Sequence, residues 1–377
     1  MSLVPTSPDQ ITKEWLSAVL QSTTADRIEV LELKFISEKN GVMSTCYKAT
    51  VKIKDDTKKM FLKTVLDKED RGRQFGDLFE FGKREAFFYT DVIDQLVRFE
   101  KKYCQKPTLE TLVPKFYCGD FSIEDGKCGY FLIFDDISDK YELRGFQEGM
   151  RKKDAISTLK KLGKFHAISF AFINKNEELV KSWGLKSAHE KYKSDLQLQY
   201  CFTNFAKMID IIAKEKPKLR KPLEYLRTHW YDYFDKAYFI GKYSNNRYFI
   251  HGDLWLNNIM CSSDDCKFID WEDFTIGDPA LDLGFFLASS ISIENLNWEE
   301  GLLKQYIDTF EATCSELKIN SPIDREQFID SVKTNGCMAI AMAWIIWFEE
   351  TYNSPLFPRV LDIVERALKS NLKSFFE

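Results

Sequence analysis

The apolar pattern of this sequence changes character at Asp135-Asp136. Before that point most segments alternate apolar and polar residues, the period of a half-buried strand. After it, apolar residues recur at three- and four-residue spacing, the period of an amphipathic helix. A chain of 377 residues is also too long for one compact core and suits two packed lobes. The expected fold is therefore α+β: an antiparallel β-sheet lobe over residues 1–136, then a mainly helical lobe over residues 137–377.

Residues 9–21 place Ile11, Trp15, Leu16, Val19 and Leu20 at helical spacing, with Asp9 and Thr12 as candidate caps. Val30 to Ser37, Thr45 to Ile53 and Lys58 to Leu66 read as strands, separated by the turn signals Glu38-Lys39-Asn40-Gly41 and Asp55-Asp56-Thr57. Phe79 to Phe99 returns to helical spacing. Val113 to Asp120 and Gly129 to Phe134, joined at Glu124-Asp125-Gly126, complete the sheet. In the second lobe, residues 151–175 form a helix with Ile156, Leu159, Leu162 and Phe165 inward. The aromatic-rich stretch 180–240 reads as long helix, and its charge run Lys214 to Lys221 as a solvated helix end. Short strands are expected around 248–250 and 266–270, then helix from about 281, broken near Pro322 and Pro355.

A net charge of −5 offers no electrostatic attraction to nucleic acid or to an anionic membrane surface. No basic segment followed by an apolar run opens the chain, and no stretch reaches the ~18 apolar residues of a membrane span. The most apolar segment, Cys337 to Phe348, has the length of a buried helix and ends in Glu349 and Glu350. Nine cysteines without a repeating spacing argue against a disulfide framework and for reduced thiols in a cytoplasmic protein. Cys261 and Cys266 invite a metal reading, but no second cysteine pair lies near them, so thiols beside a turn are expected.

The most specific segment is His251-Gly252-Asp253-Leu254-Trp255-Leu256-Asn257-Asn258, followed by Phe268-Ile269-Asp270-Trp271. Phosphoryl transfer needs a carboxylate that orients the attacking hydroxyl and accepts its proton. It also needs a magnesium ion on the phosphate oxygens, held by an amide and a second carboxylate. Asp253, Asn258 and Asp270 supply that set, at the spacing of a catalytic loop and the hairpin after it. Taken singly, each is an ordinary turn residue. His251 is expected to brace the loop backbone.

Upstream, a kinase needs a lysine on its third strand and a helix glutamate to hold that lysine. Lys63 lies in the apolar run Met60-Phe61-Leu62-Lys63-Thr64-Val65, where a charge is costly without a purpose. Glu85 is its expected partner, with Glu80 as competitor. Asn40-Gly41-Val42-Met43-Ser44-Thr45 takes the place of a phosphate-covering loop, with Asn40, Gly41 and Ser44 as candidate nucleotide contacts. The segment Phe131 to Ile137, through Phe134, Asp136 and Ile137, is the candidate adenine hinge.

The run H-G-D-L-W-L-N-N-I-M, followed by F-I-D-W and G-D-P-A-L-D-L, resembles the ecdysteroid kinase-like family, a relative of choline kinases and aminoglycoside phosphotransferases. The resemblance spans Val30 to about Phe348. It implies a two-lobed protein-kinase-like fold, with ATP in the cleft and transfer of its phosphoryl group to a hydroxyl of a small molecule. Asp253 is then the catalytic base, Asn258 and Asp270 are magnesium ligands, and Lys63 and Glu85 form the ion pair on the nucleotide. Two departures stand out: the loop at Asn40 to Thr45 is poor in glycine, and the metal turn reads Asp270-Trp271-Glu272 rather than Asp-Phe-Gly.

A peptide acceptor is not expected. Asp270 is followed almost at once by the helical Pro279-Ala280-Leu281-Asp282-Leu283, with no A-P-E motif and no room for a peptide platform. Candidate acceptor walls are Trp255, Trp271, Asp278, Asp282, Trp344 and Trp347. Asp278 and Asp282 also read as helix-capping or structural, and the two late tryptophans also as core. A steroid or other lipophilic alcohol calls for an apolar aromatic cavity, which the 180–240 stretch favours. A choline-type amino alcohol calls for an aromatic box with a carboxylate, for which Trp344, Trp347, Glu349 and Glu350 are available. A catalytically inactive nucleotide-binding scaffold is the reading from another class. It would be expected to lack at least one of Lys63, Asp253, Asn258 and Asp270, and all four are present.

Overall fold

The computed structural model describes residues 3–36, 44–65, 80–124, 127–145, 148–185, 195–233, 247–291, 295, 299–347 and 357–376. They pack as two units. The first comprises residues 1–102, 106–142 and 267–273, and the second residues 103–105, 143–266 and 274–377. The turns at Glu38 to Gly41 and Asp125-Gly126, and Pro355, lie outside the described residues.

Unit 1 opens with α1 (Lys13–Gln21), whose first turn is closed by the Thr12 hydroxyl accepting the Trp15 N–H. Asp9 does not cap it, because a separate 3-10 turn over Pro8–Gln10 precedes the helix. Five antiparallel strands follow: β1 (Ile28–Ile36), β2 (Thr45–Ile53), β3 (Asp56–Val65), β4 (Phe116–Glu124) and β5 (Lys127–Asp135), in the order β1-β2-β3-β5-β4. Between β3 and β4 lies not one helix but α2 (Phe81–Phe87), a π-helical turn (Phe88–Val92) and α3 (Ile93–Tyr103).

Strand alternation sorts this sheet into two faces. Tyr47, Ala49 and Val51 of β2, Met60 and Leu62 of β3, and Phe131 and Ile133 of β5 form one apolar cluster with Leu16, Val19 and Leu20 of α1. Lys63 is out of phase with Met60 and Leu62, so it leaves the opposite face, the one that also carries Tyr130 and Phe134. On that face Phe134 meets Tyr89 of the π turn edge-on at 4.7 Å.

In unit 2, α4 (Lys152–Lys175) is followed by α5 (Glu177–Ser182), α6 (Asp195–Glu215) and α7 (Arg220–Thr228). The aromatic stretch is thus a set of separate helices rather than one long one. Strand β6 (Tyr248–Ile250) leads into a loop, then β7 (Ile259–Cys261) and β8 (Cys266–Phe268). A further strand missed in the sequence, β9 (Thr275–Gly277), pairs antiparallel with β6. The remaining helices are α8 (Pro279–Ser290), α9 (Glu299–Glu316), α10 (Arg325–Ser331), α11 (Cys337–Trp347) and α12 (Phe357–Asn371), with a π-helical turn over Val332–Gly336. None of the described helices is long and apolar enough to cross a membrane.

All twelve residues of α8 are buried, which makes it the central helix of this unit. It runs so close to the π turn that a Cβ on Gly284 would lie 2.2 Å from the Gly336 carbonyl carbon. The charge run from Lys214 to Lys221 is largely exposed, as expected of a solvated helix end, and two of its lysines also make ion pairs. Lys216 bonds Asp362 and Glu365 at 2.9 and 3.0 Å, and Lys218 and Lys369 reach Glu365 at 2.5 and 2.8 Å.

Two predictions follow from this packing. Gly284→Ala should cost about 1–3 kcal/mol in denaturant unfolding, because backbone rather than a flexible side chain blocks the methyl group. In contrast, Gly301→Ala in α9, where nothing lies within 4 Å of the new Cβ, should be neutral or mildly stabilising. Glu365 titrates near about 2, since three lysine ammoniums outweigh the burial that would raise it. A depressed carboxylate stabilises the fold above its unfolded pKa, and that contribution is lost as pH falls toward the folded value. Glu365→Gln should therefore lower stability by about 1 kcal/mol at pH 7 and leave it nearly unchanged at about pH 2.

Candidate active site

A lysine ammonium inside a sheet face is stable only among counterions. Lys63 Nζ lies 2.7 Å from Glu85 Oε2 and 2.5 Å from Asp270 Oδ1. Burial alone would push this ammonium down, but Asp270 and Glu85 outweigh it and hold it well above the ordinary lysine value. Glu85, on α2, also accepts the Tyr130 hydroxyl at 3.0 Å, and burial pushes its carboxyl up against the pull of Lys63. Glu80 is not the partner. It is the N-cap of α2 at φ 57° and pairs with Lys83 at 3.7 Å.

Asp270 does not end a strand as expected; β8 stops at Phe268, and Asp270 adopts a left-handed φ of 64°. Such a backbone is uncommon outside glycine, and aspartate is among the residues that tolerate it. The neighbours on both sides hold it there. The Phe268 N–H donates to the Leu112 carbonyl at 2.8 Å, and Lys267 donates to the carbonyls of Thr111 and Val113. On the other side Trp271 is fully buried and stacks on Phe88 at 3.8 Å, with its indole N–H donating to Phe268 O. Trp271 is therefore a core residue of unit 1, not an exposed wall. The Asp270 carboxylate, 36% exposed, is left at the open side of the trio.

The candidate hinge is mixed in character. Phe134 is buried and Asp136 N–H is already donated to Lys59 O at 3.0 Å. The Asp136 carboxylate pairs with Lys48 at 2.8 Å and accepts the Ser138 N–H. Ile137 uses its carbonyl to accept the N–H groups of Lys140 and Tyr141. Ser44 is half-buried just before β2, whereas Asn40 and Gly41 lie outside the described residues.

In unit 2 the loop between β6 and β7 is pinned by the buried side chains of Leu254 and Leu256 and closed by a 3-10 turn over Leu256–Asn258. The Asn258 amide nitrogen donates to both the main-chain carbonyl and the carboxylate of Asp253, at 2.8 and 2.9 Å. This arrangement orients Asp253. His251 is buried, and its Nδ1 accepts the Asp253 N–H at 3.3 Å. The backbone N–H groups of His251 and Gly252 each donate to Asp282 at 2.8 Å, and Gly252 sits at φ 84°, where only glycine is unstrained.

Asp278 caps α8 by accepting the Ala280 N–H at 2.8 Å, and burial pushes its carboxyl up. One carboxylate oxygen, Oδ1, makes that cap. Trp255 is half-buried beside Asp253 in the chain. Trp344 and Trp347 lie on α11, with their side chains outside the description. Cys261 and Cys266 are buried free thiols, the first pushed up to about 12 by burial.

Sequence reading missed three groups: Tyr130 on Glu85, and His166 and Tyr306 behind Asp282. The available signal was a polar residue on a buried face, as in Leu162-Gly163-Lys164-Phe165-His166, where His166 sits four residues from Leu162.

In unit 1 Asp270 offers a carboxylate, a hard donor, beside the fixed cation of Lys63; in unit 2 Asn258 offers a side-chain amide against Asp253. An α+β fold carrying these groups is that of the small-molecule phosphotransferases, relatives of the protein kinases. The ecdysteroid kinase-like family model matches residues 38–319, and the chain belongs to that family. In fold it is similar to choline kinase from Cryptosporidium parvum Iowa II, with 14% identity, 97% of this chain and 100% of that one covered, and a TM-score of 0.50. It is also similar to Plasmodium vivax ethanolamine kinase, at 15% identity, 92% and 82% coverage and a TM-score of 0.46. A LicA homologue from Metamycoplasma hominis is 31% identical over 129 residues, 34% of this chain and 46% of the relative, so the match spans about half of that protein.

Of the early tryptophans, Trp271 should carry stability and Trp255 should not. Trp271→Ala is expected to cost about 3–5 kcal/mol by denaturant unfolding, and Trp255→Ala under about 1.5 kcal/mol.

Proposed function

We propose that this protein is an ATP- and Mg²⁺-dependent kinase that phosphorylates a hydroxyl of a small lipophilic molecule, a steroid-like alcohol being the first choice. The observation that carries the reading is the buried Lys63 ammonium bonded to both Glu85 and Asp270. A cation so costly to bury suits a group kept ready for phosphate.

In this reading Lys63, steadied by Glu85, neutralises the α- and β-phosphate oxygens. Asp253, held by the Asn258 amide, orients the acceptor hydroxyl and takes its proton as the oxygen attacks the γ-phosphorus. Asp270 and Asn258 Oδ1 would hold magnesium, which when bound neutralises charge on the phosphate oxygens. Lys63 bonds the Asp270 carboxylate, and a bound metal would draw on that same carboxylate. The Phe134 to Ile137 segment is the proposed adenine hinge, residues 1–136 the proposed nucleotide lobe, and the cytoplasm, where the free thiols stay reduced, the proposed location.

Support for a lipophilic acceptor comes from the family and from a ring cluster in unit 2. Phe202 and Trp230 lie 5.5 Å apart, and Phe202 and Tyr231 are 38% and 53% exposed. The test is Mg²⁺-dependent ATP consumption with a sterol pool and a choline-like amine pool, with Asp253→Asn as control. Turnover with amines alone would replace the lipophilic acceptor by an amino alcohol. Nucleotide binding without turnover on any acceptor would leave a scaffold.

The role assignment makes a sharper prediction. Asp253→Ala should lower kcat about 100-fold or more with nucleotide affinity nearly intact. Asp270→Ala should weaken Mg²⁺-ATP binding itself. The opposite pattern, read by calorimetry and steady-state kinetics, would reverse the two roles.

A further inference from the structure

We propose that His166 and Tyr306 are positioning residues of the catalytic loop, acting on Asp253 through Asp282; the kinetic part of this inference rests on the phosphotransferase reading above. Three helices each supply one fully buried polar side chain: His166 from α4, Asp282 from α8 and Tyr306 from α9. Tyr306 Oη lies 2.9 Å from His166 Nδ1, and His166 Nε2 lies 3.2 Å from Asp282 Oδ2. The same Asp282 Oδ2 accepts the His251 N–H, while Oδ1 accepts the Gly252 N–H.

Hydrogen-bond chemistry orders this chain. A carboxylate oxygen accepts, so His166 donates its Nε2–H to Asp282, and in that tautomer its Nδ1 accepts a hydrogen bond from the Tyr306 hydroxyl. Polar groups in an otherwise apolar helix junction cost stability unless each is satisfied. Packing alone would be served by leucine and phenylalanine at these positions. The arrangement instead ends on two backbone N–H groups immediately before Asp253. One turn along α4, Ser169 repeats the theme: its hydroxyl accepts the Phe249 N–H at 3.2 Å and donates to the His166 carbonyl at 2.9 Å. One face of α4 thus holds both β6 and, through Asp282, the loop that leaves it.

Without the His166 donor, Asp282 keeps only the two backbone N–H groups that it is there to hold, and its carboxylate loses the side-chain brace that fixes its orientation. The His251-Gly252 peptide then loosens and Asp253 loses its fixed aim. Displacements of about 1 Å at a reacting group cost up to ~100-fold in rate.

The experiment compares Tyr306→Phe, His166→Gln and His166→Leu in the full chain, reading amide hydrogen exchange at His251 and Gly252 alongside steady-state kinetics. Tyr306→Phe removes one oxygen and keeps the ring stacked on Phe328, so it preserves the packing. Exchange at both amides should rise about tenfold in His166→Leu and severalfold in Tyr306→Phe, with the β5 amides unchanged. In the same order kcat should fall, with KM for ATP within about twofold of the parent. His166→Gln, whose amide can donate to Asp282, should recover part of both effects. Unchanged exchange at His251 and Gly252 in all three variants would overturn the inference, whatever the turnover. Raised exchange in a protein whose parent form phosphorylates no acceptor would sustain the inference and sink the phosphotransferase reading instead.

Discussion

A buried ammonium dictates the layout of unit 1. Desolvating Lys63 costs several kcal/mol, and only close carboxylates return that energy. Glu85 must therefore be delivered by α2 to the sheet face opposite α1, and Asp270 must be delivered by the residues that follow β8. Tyr130, one strand over on the same face, supplies a further donor to Glu85. The trio carries one positive and two negative groups, with the excess negative charge toward the more exposed Asp270.

The second unit is organised by a carboxylate rather than a cation. Asp282 collects two backbone donors and an imidazole in a fully buried position, which makes it an anchor instead of a reactive group. Asn258 does the same work from the far side of the loop, gripping Asp253 at both its carbonyl and its carboxylate. Between these two clamps the backbone from His251 to Asn258 has little freedom. Pre-set orientation of this kind is the main protein contribution to phosphoryl transfer, where little covalent chemistry falls to the side chains.

Trp271 shows how an aromatic ring can serve a site without touching a ligand. Its stacking on Phe88 ties the turn after Asp270 to the helix segment that also carries Glu85. The left-handed backbone at Asp270 is held by burial on one side and by carbonyl bonds on the other.

Much of this was legible in the residues alone. Strand alternation located β2 to the residue, and put Lys63 in a run where a charge needed a reason. The spacing of Asp253, Asn258 and Asp270 was enough to suggest the chemistry proposed here, because each role demands one residue type at one place in a loop or turn. Helix boundaries in the aromatic stretch were not legible, since Phe, Tyr and Trp at three- and four-residue spacing look alike in one long helix or three short ones. Nor was the choice of Trp271 as core, the left-handed turn at Asp270, or the chain from Tyr306 through His166 to Asp282. These depend on residues far apart in the chain meeting in a buried place, where a lone polar group is costly and a paired one is stable. Sequence determined which groups are candidates for the chemistry; tertiary packing decided which of them are anchored, because only it brings the partners together.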